Sequence, residues 1–249
     1  MKKTLVILFL IPFLSFSQGS IIFSEYGEGS SFNKWIEIYN PTSQDVLLDD
    51  YRYNFCWNGC DNLSWEFSIA FDTGHIILSG ETYLLTHYDA SSSLLNAADQ
   101  TTNLMSNGND VAALFHIPTN TIVDIIGVFD STDVGDGWDV DGVINATEDH
   151  TMIRKPSVCV GNMGDWSISD GSSIASEWSV GMIEDYTNIK LHTSDCFSSS
   201  SIAEQEWIKG NVIMVTDLLG RESKQTRQSN RLLIYTYDNG TVEKKMSID

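Results

Sequence analysis

The densest run of reactive groups in the chain is acidic. Asp130, Asp133, Asp136, Asp139 and Asp141 fall within 12 residues, interleaved with Gly135, Gly137 and Gly142. Carboxylates this close repel one another unless they are solvated or bridged by a cation, and Ca2+ takes about 6–8 oxygen ligands. From Gly137 the run Gly-Trp-Asp-Val-Asp-Gly-Val-Ile-Asn-Ala-Thr-Glu carries calcium-loop residue types at its third, fifth, sixth, ninth and twelfth positions. These are Asp139, Asp141, Gly142, Asn145 and Glu148. The first position, normally Asp, is Gly137, and the flanks read as strands where such a loop has helices. Two readings follow. One is a calcium site built from Asp136, Asp139, Asp141, Asn145 and Glu148; the other is a structural turn with solvated acids, which these departures favour. Calcium is the one cofactor the residues suggest.

Glu25 and Glu37 are the next candidates. On strands of period 2, Glu25 shares a face with Ile21 and Phe23, and Glu37 shares one with Trp35 and Tyr39. Two carboxylates on half-apolar strands suit general acid–base work. They suit a framework role better, accepting backbone N–H groups or pairing with Arg154 and Lys155, because sandwich frameworks commonly satisfy polar groups this way. Cys56, Cys60, Cys159 and Cys196 are expected to form disulfides. Cys56–Cys60 would close a tight loop and Cys159–Cys196 would pin a late segment, one of the connectivities that sequence alone leaves open. A metal or redox site at Cys56 and Cys60 lacks a second close pair and a basic neighbour to lower a thiol pKa. Trp57 and Trp138 fall in Gly-, Asn- and Asp-rich loops and are the candidates for an exposed sugar-stacking platform, although most tryptophans are core. His75, His87, His116, His150 and His192 are scattered without metal-binding spacing, and neither a nucleophile elbow nor a phosphate loop occurs. The reading is therefore non-catalytic.

The elements that must carry these groups are strands. Ile21–Tyr26, Lys34–Tyr39, Val46–Asn54, Ser64–Ile69, His75–Leu78, Thr82–His87, Asp110–His116, Ile122–Phe129, Thr151–Arg154 and Glu177–Val180 are rich in β-branched and aromatic residues and bounded by turn formers. Turn signals recur about every ten residues, which predicts an all-β sandwich or barrel. One helix is expected, over Ser91–Ala98. Near the C-terminus, Asn239-Gly240 is a favoured two-residue turn flanked by Ile234–Asp238 and Thr241–Met246, so a small β-hairpin tail is expected there.

Charge narrows the partners. From Gln18 to Phe197 there are 5 basic and 27 acidic residues, a net of −22, while from Ser198 to Asp249 there are 7 of each. A polyanion repels phosphate backbones, so nucleic acid is excluded as a partner. Lys2 and Lys3 precede an apolar run, Leu5–Phe16, that ends in Ser15-Phe16-Ser17-Gln18. This is the layout of a signal peptide, residues 1–17, cleaved after Ser17. The run is too short to cross about 30 Å of hydrocarbon and no later segment approaches that length, so no transmembrane span is expected in the mature chain. The expected order is then a sandwich over 18–197, a Ser-rich linker over 198–210 and a tail over 211–249.

Several stretches resemble a known family. "IIFSEYGEGSSFNKWIEIYNPT" (Ile21–Thr42), "VLLDDYRY" (Val46–Tyr53), "ILSGETYLLTH" (Ile77–His87), "SNGNDVAALF" (Ser106–Phe115), "IVDIIGVF" (Ile122–Phe129), "GWDVDG" (Gly137–Gly142) and "HTMIRKPSV" (His150–Val158) are similar, in order, to the landmarks of bacterial lamin-tail domains. The resemblance implies an immunoglobulin-like β-sandwich that tethers or recognises other molecules. It implies no calcium role for Gly137–Gly142. The tail stretches "VTDLLGRESKQ" (Val215–Gln225) and "LLIYTYDNGTVEKKMSI" (Leu232–Ile248) resemble type IX secretion sorting segments, without the Pro-Asn-Pro start of the longer form. Together these imply a secreted or outer-membrane-surface binding or adhesion module. Its partners would be a protein or glycan at the cell surface, with the secretion machinery engaged through the tail.

Overall fold

Gly, Asn, Asp and Pro punctuate a chain otherwise rich in Ile, Val, Tyr and Phe, and strands form between them. The computed structural model describes residues 21–196, 212–217, 221, 231–238 and 242–247. The signal peptide and the Ser-rich linker expected from sequence lie outside the described residues. The chain divides into two units, Met1–Phe197 and Ser198–Asp249.

In chain order the first unit carries β1 (Ile22–Glu28), β2 (Lys34–Tyr39), β3 (Val46–Leu47), β4 (Tyr51–Cys56), β5 (Phe67–Ala70), β6 (Ile76–Ile77), β7 (Thr82–His87), α1 (Ser92–Ala97), β8 (Gln100–Thr102), β9 (Val111–His116), β10 (Thr121–Ile126), β11 (Thr151–Arg154) and β12 (Trp178–Val180). One sheet has the order β12-β11-β1-β2-β7-β8 and the other β10-β9-β4-β5, with β3 and β6 as a separate short pair. All pairings are antiparallel except β7 with β8. The parallel strand β8 has no counterpart among the expected elements. At three residues, Gln-Thr-Thr, it is too short to show a period.

The two sheets close on a core that includes Phe23, Ile36, Ile38, Tyr53, Phe55, Leu85 and Leu114, each with no exposed surface. The Phe23 and Tyr53 rings meet edge to face across the sheets at 6.4 Å. Asp124 on β10 ties the sheets by charge as well. Its carboxylate accepts from the Phe23 N–H at 2.9 Å, from both Arg154 terminal nitrogens at 3.2 Å and from the Asn162 N–H at 3.1 Å. Arg154 also reaches Glu177 at 2.9 Å and lies over the Trp178 ring. The expected pairing of Arg154 or Lys155 with Glu25 and Glu37 does not form: Lys155 bonds the Ser176 carbonyl and approaches Asp141 instead.

A bulge in β1 between Phe23 and Glu25 overturns one strict period-2 reading. Phe23 and Tyr26 both enter the core, so Glu25 turns to the opposite face, where it meets Trp35, rather than sharing the face of Phe23. That outer face is covered by residues 181–196. Tyr186 and Ile189 from this strap pack with Trp35, Leu84, Ala90 and Leu94.

In the second unit β13 (Val212–Asp217), β14 (Arg231–Tyr237) and β15 (Val242–Ser247) form an antiparallel sheet in that order. The expected hairpin is thus the β14–β15 part of a three-stranded sheet; its Asn239-Gly240 turn lies outside the described residues. Val212, Ile213 and Met214 are exposed along β13.

Candidate functional site

The segment after β4 determines where a ligand could reach the sandwich. Cys56 and Cys60 are bridged, with Cα atoms 5.2 Å apart, and the Cys60 N–H donates to the Asp130 carbonyl at 2.6 Å. Gly59 makes that crossing possible. Its φ of +100° is open to glycine, and a Cβ there would sit 2.8 Å from the Thr132 carbonyl oxygen. The chain is thereby brought from β4 to the loop after β10, and Trp65 stacks on Phe129 with ring centroids 4.2 Å apart.

Below these rings, Phe115 and Ile122 stand opposite each other in the β9–β10 register. Their chain neighbours Leu114 and Val123 are core residues, so Phe115 and Ile122 are turned towards the other face of the sheet, where both are half-buried. Together with Leu63, Ser64, Asn120, Thr121 and Met163, the four line a groove of about 550 Å³. Leu63 and Met163 are 65% and 58% exposed. No lining residue is charged, in a unit that is otherwise strongly acidic. Thr121 is bonded to Thr119, whereas the Ser64 hydroxyl and the Asn120 carboxamide make no hydrogen bond with described residues. Leu63, Asn120 and Met163 have φ of 52°, 56° and 55°. Asn tolerates this left-handed region, but Leu and Met are strained there by about 1–2 kcal/mol each. Such strain clusters at ligand clamps and active sites.

The residues singled out from sequence lie elsewhere. Trp57 is 43% exposed, but its ring tilts onto Phe67 and it does not line the groove. Trp138 is no platform. It is buried, its indole N–H donates to the Asp110 carbonyl at 2.9 Å, and Gly127 packs against its ring. The loop position misled because the loop folds back onto the core. In the acidic run, the Asp139 carboxylate accepts the Asn145 N–H at 2.9 Å, while Asp141 and Gly142 form the φ-positive turn between the bridged Val140 and Val143. Asp130 and Asp133 accept N–H groups two residues on, and the bonds from Thr132 hold the Asp130 carboxyl below its ordinary value. Glu148 is pushed up by burial and by the neighbouring Asp136. Among the described residues, no three His, Cys, Asp or Glu side chains are grouped to hold a metal ion. The fold therefore does not bring Asp136, Asp139, Asp141, Asn145 and Glu148 together as one cation shell.

Glu25 and Glu37 do meet, directly opposite each other in the β1–β2 register, and neither has exposed surface. Glu25 accepts from the Trp35 indole at 2.9 Å and from Asn188 at 3.2 Å; Glu37 accepts from the Ser24 hydroxyl at 2.7 Å and from the Lys190 N–H. Burial, with Glu37 adding repulsion, raises the Glu25 pKa to about 7, and burial likewise raises that of Glu37. The pair is sealed beneath the strap and fully engaged with protein donors. The second disulfide, Cys159–Cys196, closes the end of that strap.

Residues 15–130 match the family model of the Lamin Tail Domain. The matched stretch takes in β1 through β10 and all of the groove except Met163. No curated protein matches the chain. Match and architecture agree on an immunoglobulin-like β-sandwich of the lamin-tail type, as the resemblance implies; the strand pattern alone predicts a sandwich or barrel. Among the described residues, no helix is long and apolar enough to cross a membrane.

None of the groove residues stood out in the sequence. One local signal was present: Asn62-Leu63-Ser64-Trp65 places two large apolar side chains in a turn-forming stretch. Nothing local, however, brings Phe115, Phe129 and Met163 to meet them.

Proposed function

We propose that the sandwich is a non-catalytic binding or adhesion module, exported and held in the medium or at the outer-membrane surface, which recognises a surface component through the groove beneath Trp65 and Phe129. The observation that carries this reading is the contrast in commitment of polar groups. The buried carboxylates Glu25, Glu37 and Asp124 are engaged by framework donors. The groove instead is lined by the half-buried Trp65 and Phe129 rings and by Ser64 and Asn120, whose side chains have no hydrogen-bond partner among the described residues. Two disulfides accord with an oxidising compartment. In this reading the leader directs export and the second unit is a handle for the secretion machinery. Its exposed apolar strand β13 is the kind of edge that other chains can pair with. The net of −22 over residues 18–197 keeps nucleic acid out of the partner set.

The test is retention of the full-length mature protein on isolated cell envelopes of the producing organism. Wild type is expected to be retained, and Trp65→Ala to be released while keeping its fold by circular dichroism. Retention that is indifferent to Trp65→Ala would remove the groove from the reading, and no retention at all would remove the module.

A further inference from the structure

We infer that the groove is a seat for an uncharged glycan chain. This rests on the binding-module reading and adds the ligand class. Trp65 and Phe129, half-buried and stacked on each other, line the groove with aromatic surface that the C–H groups on the apolar side of a pyranose can contact. The Ser64 hydroxyl and the Asn120 carboxamide each both donate and accept, as sugar hydroxyls do, and neither has a hydrogen-bond partner among the described residues. The lining carries no cation for a uronate, sulfate or phosphate, and the net of −22 over residues 18–197 repels such groups. About 550 Å³ suits a few sugar rings rather than a macromolecular interface.

A peptide added as an extra strand is disfavoured by the adjoining sheet edge. The outer edge of β10 is already taken, with the Met163 N–H on the Val123 carbonyl and the Ile125 N–H on the Asn162 side chain. What the groove exposes is a side-chain surface rather than a free backbone. Leu63 and Met163 stand strained and exposed on it.

The experiment is titration calorimetry of the full-length mature protein with cellohexaose, xylohexaose, mannohexaose and laminarihexaose, with hexagalacturonate as the acidic comparator. Saturable binding of at least one neutral oligosaccharide is expected, weakened about tenfold or more by Trp65→Ala. Asn120→Gly removes an exposed side chain that has no hydrogen bond among the described residues, at a backbone conformation glycine adopts freely, so it keeps the fold and is expected to weaken binding several-fold. Trp57→Ala is expected to leave affinity unchanged. Binding that survives both groove substitutions, preference for hexagalacturonate, or no binding of any neutral oligosaccharide would each overturn the proposal. In the last case the envelope assay separates the two levels. Envelope retention abolished by Trp65→Ala would leave a module with a non-glycan partner, whereas no retention would end both readings.

Discussion

Over the six-stranded sheet, residues 181–196 form a strap whose Glu184 and Lys190 side chains are answered by the fold; over the four-stranded sheet, the groove's Ser64 and Asn120 side chains have no hydrogen-bond partner among the described residues. Left-handed backbone marks both places. On the strap, Glu184 and Lys190 have φ of 56° and 61°. Glu184 accepts from Ser30 and Asn33, and Lys190 donates to Asp99 and to the Thr82 carbonyl, so local strain is offset by contacts. At the groove, Leu63 and Met163 show the same backbone, yet their side chains point into solvent. The same backbone conformation thus serves structure on one face and leaves an open surface on the other. What separates them is whether the side chain has a partner inside the molecule.

The largest effect expected from breaking this contrast lies in the charge tie between the sheets. Asp124→Ala leaves the Arg154 guanidinium buried with only the partly buried Glu177 as counter-charge. Removing one partner of a buried pair is expected to cost about 3–5 kcal/mol and to lower the midpoint of thermal unfolding by about 10 °C. Asn120→Gly in the groove, at a backbone conformation glycine adopts freely, should change stability by less than about 1 kcal/mol. Differential scanning calorimetry on both variants measures the gap, and equal losses would mean the groove is as structural as the tie.

A smaller effect comes from protons under the strap. A carboxyl whose pKa is raised on folding, as for Glu25 at about 7, favours the folded state while neutral. That advantage is present below the unfolded value of 4.5 and is lost as pH climbs to about 7. His192 runs the other way. Its pKa is lowered to about 4, chiefly by burial and then by Arg154, so stability is lost as pH falls from 6.5 towards 4. The two slopes oppose each other between about pH 4.5 and 6.5, so single variants are needed to see either. The stability of Glu25→Gln relative to wild type is expected to rise by up to about 3 kcal/mol between pH 4 and pH 8. Urea titrations across that range test it. A pH-independent difference would mean that the Glu25 carboxyl is not held neutral by the strap.

Much of the scaffold was legible because period-2 patterns survive burial on one face. The bounds expected for β2, β7 and β11 agree with those observed. Period 2 failed where the backbone broke it. The β1 bulge moved Glu25 across the sheet, and no composition signal announces a bulge at Ser24. Trp138 was misplaced because a Gly- and Asp-rich loop reads as exposed, whereas this one folds back to bond the Asp110 carbonyl. The groove was illegible for a different reason. It is assembled from Trp65, Phe115, Ile122 and Met163, and Trp65 reaches the others only because the segment after β4 crosses to the loop after β10.

The smallest expected effect sharpens the comparison most. Glycine adopts the left-handed region freely, so Leu63→Gly and Met163→Gly relieve strain while deleting side chains that are mostly exposed. The added flexibility of the unfolded chain takes back part of that gain, leaving a net stabilisation of about 0.5–1 kcal/mol. Lys190→Gly relieves the same strain, but it removes the bonds to Asp99 and the Thr82 carbonyl, so it is expected to destabilise. Opposite signs at identical backbone geometry would show that contacts stabilise the strap, whereas the groove carries strain with no return inside the fold. Stability gained at Leu63 and Met163 together with weakened envelope retention would identify ligand binding as that return, since natural sites often give up stability for function. If both glycine variants keep full retention, the strain at the groove serves only the turns in which it sits.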